Sequence, residues 1–178
     1  MFDFSPLFIS LKIAVIATTV TFFLGIGTAY FMHHYRGRWR SPLDSLFLAP
    51  MVLPPTILGF LLLILFGKNS PLGAGLSKLG IAVVFTWYAA VITAAVVAFP
   101  LVYKTVLGAF EQIDPTLLQA ARTLGASDFR VFWQITVPLA LPGILAGTTL
   151  AFSRALGEFG ATLMLAGNIP GKTQTLPM

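Results

Sequence analysis

The sequence predicts an all-α protein that crosses a membrane several times. Three observations carry that expectation. Of the 178 residues, 57% are hydrophobic and only 10% are charged, against roughly 25% charged in soluble domains. The apolar residues gather into runs of about 20, the length that spans the hydrocarbon core of a bilayer. The basic residues lie in the short segments between those runs. Mean hydropathy is correspondingly high, at +0.88. A formal net charge of +5 would suggest nucleic acid in a soluble chain. Here it reads as loop charge that sets topology, and no nucleic-acid partner is expected. With no cysteine, disulfides, iron–sulfur ligation and thiol chemistry are excluded.

The first span is expected from about Leu7 to Met32. Met1 to Pro6 has no basic leader region and no small-x-small cleavage site follows, so the run reads as a retained transmembrane helix. Lys12 lies near its outer end, where its stem reaches the headgroups as an interfacial anchor. His33 to Arg40 is a basic, aromatic loop at the bilayer surface. Its adjacent histidines cannot share a helix face and have no carboxylate cluster beside them, so no metal site is expected. A second span is expected from about Leu46 to Phe66, containing Pro50 and then Pro54-Pro55. Paired prolines remove two donors and crowd the preceding turn, which predicts a kink or break there. Two readings stay open for it, a packing kink or an irregular segment beside a transport pathway.

Gly67 to Gly80 reads as a Gly/Ser/Pro loop with Lys68 and Lys78. A third span follows from about Ile81 to Val106, interrupted by Pro100, and a fourth from about Leu139 to Leu156. Gly143 and Gly147 in the fourth form a small-xxx-small pair that lets two helices approach closely. Arg36, Arg38 and Arg40 in the loop at 33–44, and Lys104, Arg122 and Arg130 around the loop at 103–137, outweigh the scattered Lys68, Lys78 and Lys172. The positive-inside rule therefore puts those two loops in the cytoplasm and the N-terminus outside.

The loop at 111–137 is the one long polar-punctuated stretch among apolar runs. Asp114 can cap a helix whose first residue is Pro115. Leu117, Leu118, Ala121 and Leu124 recur at helical spacing, with Gln119 and Arg122 on the other face. Gly125 falls where a left-handed helix end belongs, Ser127 can cap a second short helix, and Phe129, Phe132 and Trp133 supply its apolar stripe. Two short helices meeting at a glycine make a compact knob.

These residues resemble the signature loop of permease subunits of ABC-type importers, written Glu-Ala-Ala, three residues, Gly, nine residues, Ile-x-Leu-Pro. Here it reads Gln119-Ala120-Ala121, Gly125 and Ile135-Thr136-Val137-Pro138, with every spacing kept; Gln replaces Glu and Val replaces Leu. The resemblance implies a type I importer permease fold over a single domain, 1–178. It also implies that the knob, through Leu117, Leu118, Gln119, Ala120, Ala121, Arg122, Leu124, Gly125 and Phe129, docks into a separate ATP-hydrolysing subunit. ATP and Mg are expected in that partner. This chain carries no Gly-x-x-x-x-Gly-Lys-Ser/Thr loop, no His-Glu-x-x-His pair and no Gly-x-Ser-x-Gly elbow, so it is not expected to be an enzyme or to bind a cofactor or metal. Nor do its spans place ionisable groups near mid-membrane, as a proton-coupled carrier's do.

Ala151 to Pro177 is the second informative stretch. Arg154 and Glu158 stand four apart and can neutralise each other; they read either as an internal pair or as an electrostatic element that an anion meets near the outer mouth. Ala155 to Thr162, then Gly167-Asn168-Ile169-Pro170-Gly171, with Leu53-Pro54-Pro55, resemble the molybdate branch of the sulfate/molybdate/tungstate permeases. That likeness implies an oxyanion pore built by two copies of the chain in the inner membrane of a prokaryote. Two ATPase subunits would lie beneath and a binding protein would deliver substrate above, with Pro54, Pro55, Arg154 and Glu158 as candidates for the path. Tungstate and sulfate, also tetrahedral dianions, remain alternatives. Members of this family continue past the Asn-Ile-Pro-Gly turn, whereas this sequence ends at Met178. A chain truncated after its fourth long span, a remnant that docks the ATPase without transporting, is the reading from another class.

Overall fold

The computed structural model describes residues 4–177. Residues 1–3, part of the stretch read above as lacking a leader, and residue 178, where the sequence ends, lie outside the described residues. Among the described residues the regular structure is helical: α1 (Ser5–His34), α2 (Arg40–Val52), α3 (Pro55–Phe66), α4 (Pro71–Lys78), α5 (Trp87–Glu111), α6 (Pro115–Thr123), α7 (Asp128–Val131), α8 (Val137–Leu156) and α9 (Gly160–Ala166), with a π-helical turn, Phe132–Thr136, joining α7 to α8.

Helices α1, α5 and α8 form the frame, and small residues set how closely they pack. A Cβ on Gly25 of α1 would stand 2.7 Å from Val102 Cγ1 on α5. One on Gly143 of α8 would stand 2.5 Å from Ala109 Cβ, and one on Gly147 would stand 3.3 Å from Val102 Cα. The close approach expected of Gly143 and Gly147 is therefore made against α5. α1 and α5 run parallel. At one end Lys12 Nζ lies 4.0 Å from the centre of the Trp87 ring. At the other the His33 and Phe110 rings are 6.1 Å apart. α8 runs antiparallel to both.

Parallel neighbours must be joined by chain that crosses back, and α2 with α3 makes that crossing. The pair is bent by 113° at Leu53 and Pro54, where Pro54 lies outside both helices and Pro55 opens the second. The paired prolines thus break the span. Counting the pair as one, four segments among the described residues are long and apolar enough to cross a membrane. Two apolar clusters fill the bundle. One, around Ile13, Leu58, Val91 and Leu165, lies toward the Trp87 end of α5; the other, around Met32, Val102, Tyr103 and Phe110, lies toward the Glu111 end.

Several boundaries differ from expectation. The fourth span does not begin at Leu139: helical backbone runs from Asp128 through the π-helical turn to Leu156, so the second short helix of the knob is continuous with it. The third span starts at Trp87, not Ile81, and runs on to Glu111. Thr86 caps it by accepting the Ala89 N–H, and Phe85, at φ 62°, is a bulky residue in the left-handed region that no helix tolerates. The Phe85 N–H instead donates to the Leu165 carbonyl at 3.0 Å. The second span begins at Arg40, six residues before Leu46. The 67–80 loop contains α4, because Ser70 accepts the Gly73 N–H at 2.8 Å and Pro71 occupies the first turn.

Candidate functional site

Two places concentrate the residues singled out above. The first is the knob, built as local chemistry dictates. Asp114 Oδ1 accepts the Thr116 N–H at 2.8 Å, and that bond holds the carboxyl below its ordinary pKa. Pro115 follows in the first turn. At the other end of α6 the Ala126 N–H donates to the Ala121 carbonyl at 3.1 Å and the Gly125 N–H to the Arg122 carbonyl at 2.9 Å, the paired bonds of a Schellman ending. Gly125 supplies the positive φ, 84°. Ser127 caps α7 by accepting the Arg130 N–H, and Arg122 Nε bonds Asp128 Oδ1 at 2.9 Å across the turn.

The apolar stripe of α6 does not pack as a core face. Only Leu118 and Ala121 are half-buried, and Leu118 packs with Phe132 against the cluster toward the Glu111 end of α5. Leu117, Leu124 and Phe129 are 51%, 88% and 75% exposed. Gln119, Ala120 and Arg122 are exposed as well. The knob is thus anchored by two side chains and offers several large apolar ones outward. It sits at the arginine-rich end of the bundle: Gln119 and Arg122 face His33, Arg36 and Arg40 across a cavity of about 420 Å³.

The second place is where two broken segments meet. α8 ends at Leu156 and α9 restarts at Gly160. A Cβ on Gly160 would stand 3.1 Å from Pro55 Cβ, and one on Gly59 of α3 would stand 2.8 Å from both the Cα and the carbonyl oxygen of Ala161. Glu158, buried to 3% exposure, lies in the break, beyond the helix end. Its carboxylate pairs with Arg154 and also accepts the Ala161 N–H at 2.9 Å, so it ties α8 to α9. Arg154 keeps 34% of its side chain exposed. Pro54 and Pro55 are exposed, and α3 has no side-chain cap. The Thr56 and Ile57 N–H groups at its start therefore have no acceptor within the helix. Pro55, Glu158 and, through Glu158, Arg154 belong to one junction.

The sequence reading missed a polar clamp between α2 and α5. Tyr103, fully buried, donates its hydroxyl to Asp44 Oδ1 at 2.6 Å, Lys104 Nζ lies 3.4 Å from Asp44 Oδ2, and Arg40 bonds Glu111 Oε1 at 2.8 Å. The available signal was the carboxylates Asp44 and Glu111 standing beside basic residues at the ends of two predicted spans. Among the described residues no three His, Cys, Asp or Glu side chains converge as a metal site requires.

Residues 9–177 match the family model described as binding-protein-dependent transport system inner membrane component. YvgM of Bacillus subtilis (strain 168) is 47% identical over 98% of this chain and 77% of its own length. The molybdenum transport system permease protein ModB of Escherichia coli (strain K12) is 44% identical over 98% of the chain and 77% of its own length. The protein of the same name from Haemophilus influenzae is 44% identical over 99% of the chain, again across 77% of itself. The match runs through the four candidate crossing segments, both breaks and the knob. The chain belongs to the family of binding-protein-dependent transport system inner membrane components.

Proposed function

We propose that this protein is the permease subunit of an ATP-driven importer that moves molybdate across the cytoplasmic membrane of a prokaryote by alternating access. Its N-terminus lies outside. The family supports a transport role in the inner membrane, and relatives named for molybdenum transport support the cargo. The observation that carries the mechanism is the position of the knob. Its exposed Leu117, Leu124 and Phe129 project from the same end of the bundle as Arg36 and Arg40, the end that the positive-inside rule assigns to the cytoplasm. A cluster of large apolar side chains standing beyond the spans is an interface awaiting a partner. ATP is available on that side, and this sequence has no phosphate-binding loop of its own. The partner is therefore the ATPase subunit, which also holds ATP and Mg.

The docking surface comprises Leu117, Leu118, Gln119, Ala120, Ala121, Arg122, Leu124, Gly125 and Phe129. Closure of the ATPase pair draws two such knobs together, and the Schellman turn transmits the displacement to α8 through the π-helical turn. The path runs beside the junction of the two breaks, with Pro54, Pro55, Arg154 and Glu158 at its wall. Backbone freed from helical bonding is tolerated in a membrane where it faces protein or a water-filled cavity. Uncapped half-helix N-termini of the α3 kind favour anions. Arg154 adds positive charge that Glu158 holds in place. The junction opens onto the protomer's surface, so a second copy of the chain closes the path, and an extracytoplasmic oxyanion-binding protein loads it.

Molybdate, tungstate and sulfate are all tetrahedral dianions, and the test separates them. The full chain, its ATPase and its binding protein are reconstituted in lipid vesicles, and labelled molybdate uptake is followed with and without ATP. The expected result is ATP-dependent molybdate uptake, and competition by excess tungstate and excess sulfate ranks the three anions. Assembly without uptake under any cargo would overturn the transport reading and leave a docking-only protein.

A further inference from the structure

The cavity of about 420 Å³ beside the knob is lined by the end of α1 (His33, His34), the following linker (Arg36), the start of α2 (Arg40), the end of α5 (Glu111) and α6 (Gln119, Arg122). Three arginines from three separate segments face one glutamate. Arg40 spends one nitrogen on Glu111, and Arg122 spends Nε on Asp128. A guanidinium has five N–H donors, so both retain donors for another acceptor. Arg36 has no carboxylate within ion-pairing distance among the described residues. Gln119 stands where the resemblance places a glutamate, which keeps a second carboxylate off the lining. Converging guanidinium groups that outnumber local carboxylates match the charge and the planar bidentate geometry of a phosphate-type oxyanion. The cavity stands at the end of α1, beyond the apolar run of that helix.

We propose that this cavity binds a phosphate-type oxyanion, and that the occupant ties α6 to the α1–α2 corner and stiffens the knob. The chemistry is shared by an anionic phospholipid headgroup of the inner leaflet and by a soluble phosphate-type anion. The site is separate from the transport path and rests on no assignment of cargo.

The test is thermal unfolding of the full chain in nanodiscs of phosphatidylcholine alone, of phosphatidylcholine with added phosphatidylglycerol, and of phosphatidylcholine with inorganic phosphate matched in ionic strength to chloride. A rise in midpoint of about 2–4 °C or more is expected in one of the last two arms. A response to phosphatidylglycerol alone identifies the headgroup, and a response to phosphate identifies the soluble anion. The R36Q/R122Q double variant should lose that response, while R38Q/R130Q, which removes the same charge outside the cavity lining, should keep it. Should R36Q/R122Q fail to fold, Q119E, which sets a carboxylate on the lining, should lose the response in its place. No response from the wild-type chain in either arm, or equal responses from R38Q/R130Q and the cavity variants, would overturn the proposal.

Discussion

Gly59 on α3 and Ala161 on α9 touch backbone to side-chain position: a Cβ on Gly59 would stand 2.8 Å from the Ala161 Cα and from its carbonyl oxygen. Neither atom can yield without moving a helix. The contact fixes the half-helix that follows the Pro54-Pro55 break against the one that follows the Gly157 break. The two irregular segments therefore form one structural unit. Gly59→Ala should destabilise the protein by about 1–3 kcal/mol, as overpacking does, and a thermal melt in detergent reads the loss. An unchanged midpoint would mean that α3 and α9 pack less tightly than this.

The Arg154–Glu158 pair separates a structural role from a transport role. Glu158→Ala strips Arg154 of its partner and α9 of the bond to the Ala161 N–H. Breaking a buried pair from one side costs about 3–5 kcal/mol, and the lower end applies because Arg154 is 34% exposed. R154M/E158Q removes both charges and leaves an amide oxygen for Ala161, so its stability should return toward wild type. Uptake should stay low in that double variant, since the path has lost its positive charge. Wild-type uptake there would reduce the pair to a structural tie.

Gly125 tests the coupling turn. At φ 84°, with nothing within 4 Å of a Cβ, a substitution meets backbone strain and no steric neighbour. Gly125→Ala should cost about 1–2 kcal/mol and leave transport largely intact. Gly125→Val, β-branched, should reorient α7 against α6 and uncouple hydrolysis from uptake. The check is the ratio of ATP hydrolysed to molybdate imported in vesicles, which rises for Gly125→Val and stays near wild type for Gly125→Ala.

Asp114 gives the knob a pH dependence whose sign follows from its cap. The Thr116 N–H bond depresses the folded-state pKa below 3.8. The stabilisation is therefore present above 3.8, the unfolded value, and is lost as pH falls through the depressed folded value. The Thr116 amide resonance should move as α6 frays in that acid window. Asp114→Asn, which still caps but does not titrate, should abolish the movement.

The elements legible in the sequence were those fixed by local rules. Asp114-Pro115, Gly125 and Ser127 each demand one backbone geometry, and the structure has it at all three. The Pro54-Pro55 break was legible for the same reason. The exposed disposition of Leu117 and Leu124 was not legible in the periodicity, which reports a stripe without saying what covers it; only the resemblance to the importer loop implied it. The start of α5 was missed because apolar character continues through Ile81 to Phe85, while Thr86 and the φ of Phe85 set the boundary. The Asp44–Tyr103–Lys104 clamp joins residues about sixty positions apart, a separation that no local pattern encodes. The meeting of the two breaks was hidden in the same way, because Pro55 and Gly160 lie far apart in the chain.

The central claim is that the knob docks an ATPase. The chain contains no cysteine, so Leu124→Cys introduces a single thiol, at a side chain 88% exposed. Cross-linking that thiol to the ATPase subunit in assembled complexes is the most direct measurement, with Leu72→Cys, at the opposite end of the bundle, as the reference. Docking through the knob predicts efficient cross-linking from position 124 whose yield changes between nucleotide-free and ATP-bound complexes, and none from position 72. Equal yields from both positions, or a product at 72 alone, would contradict it.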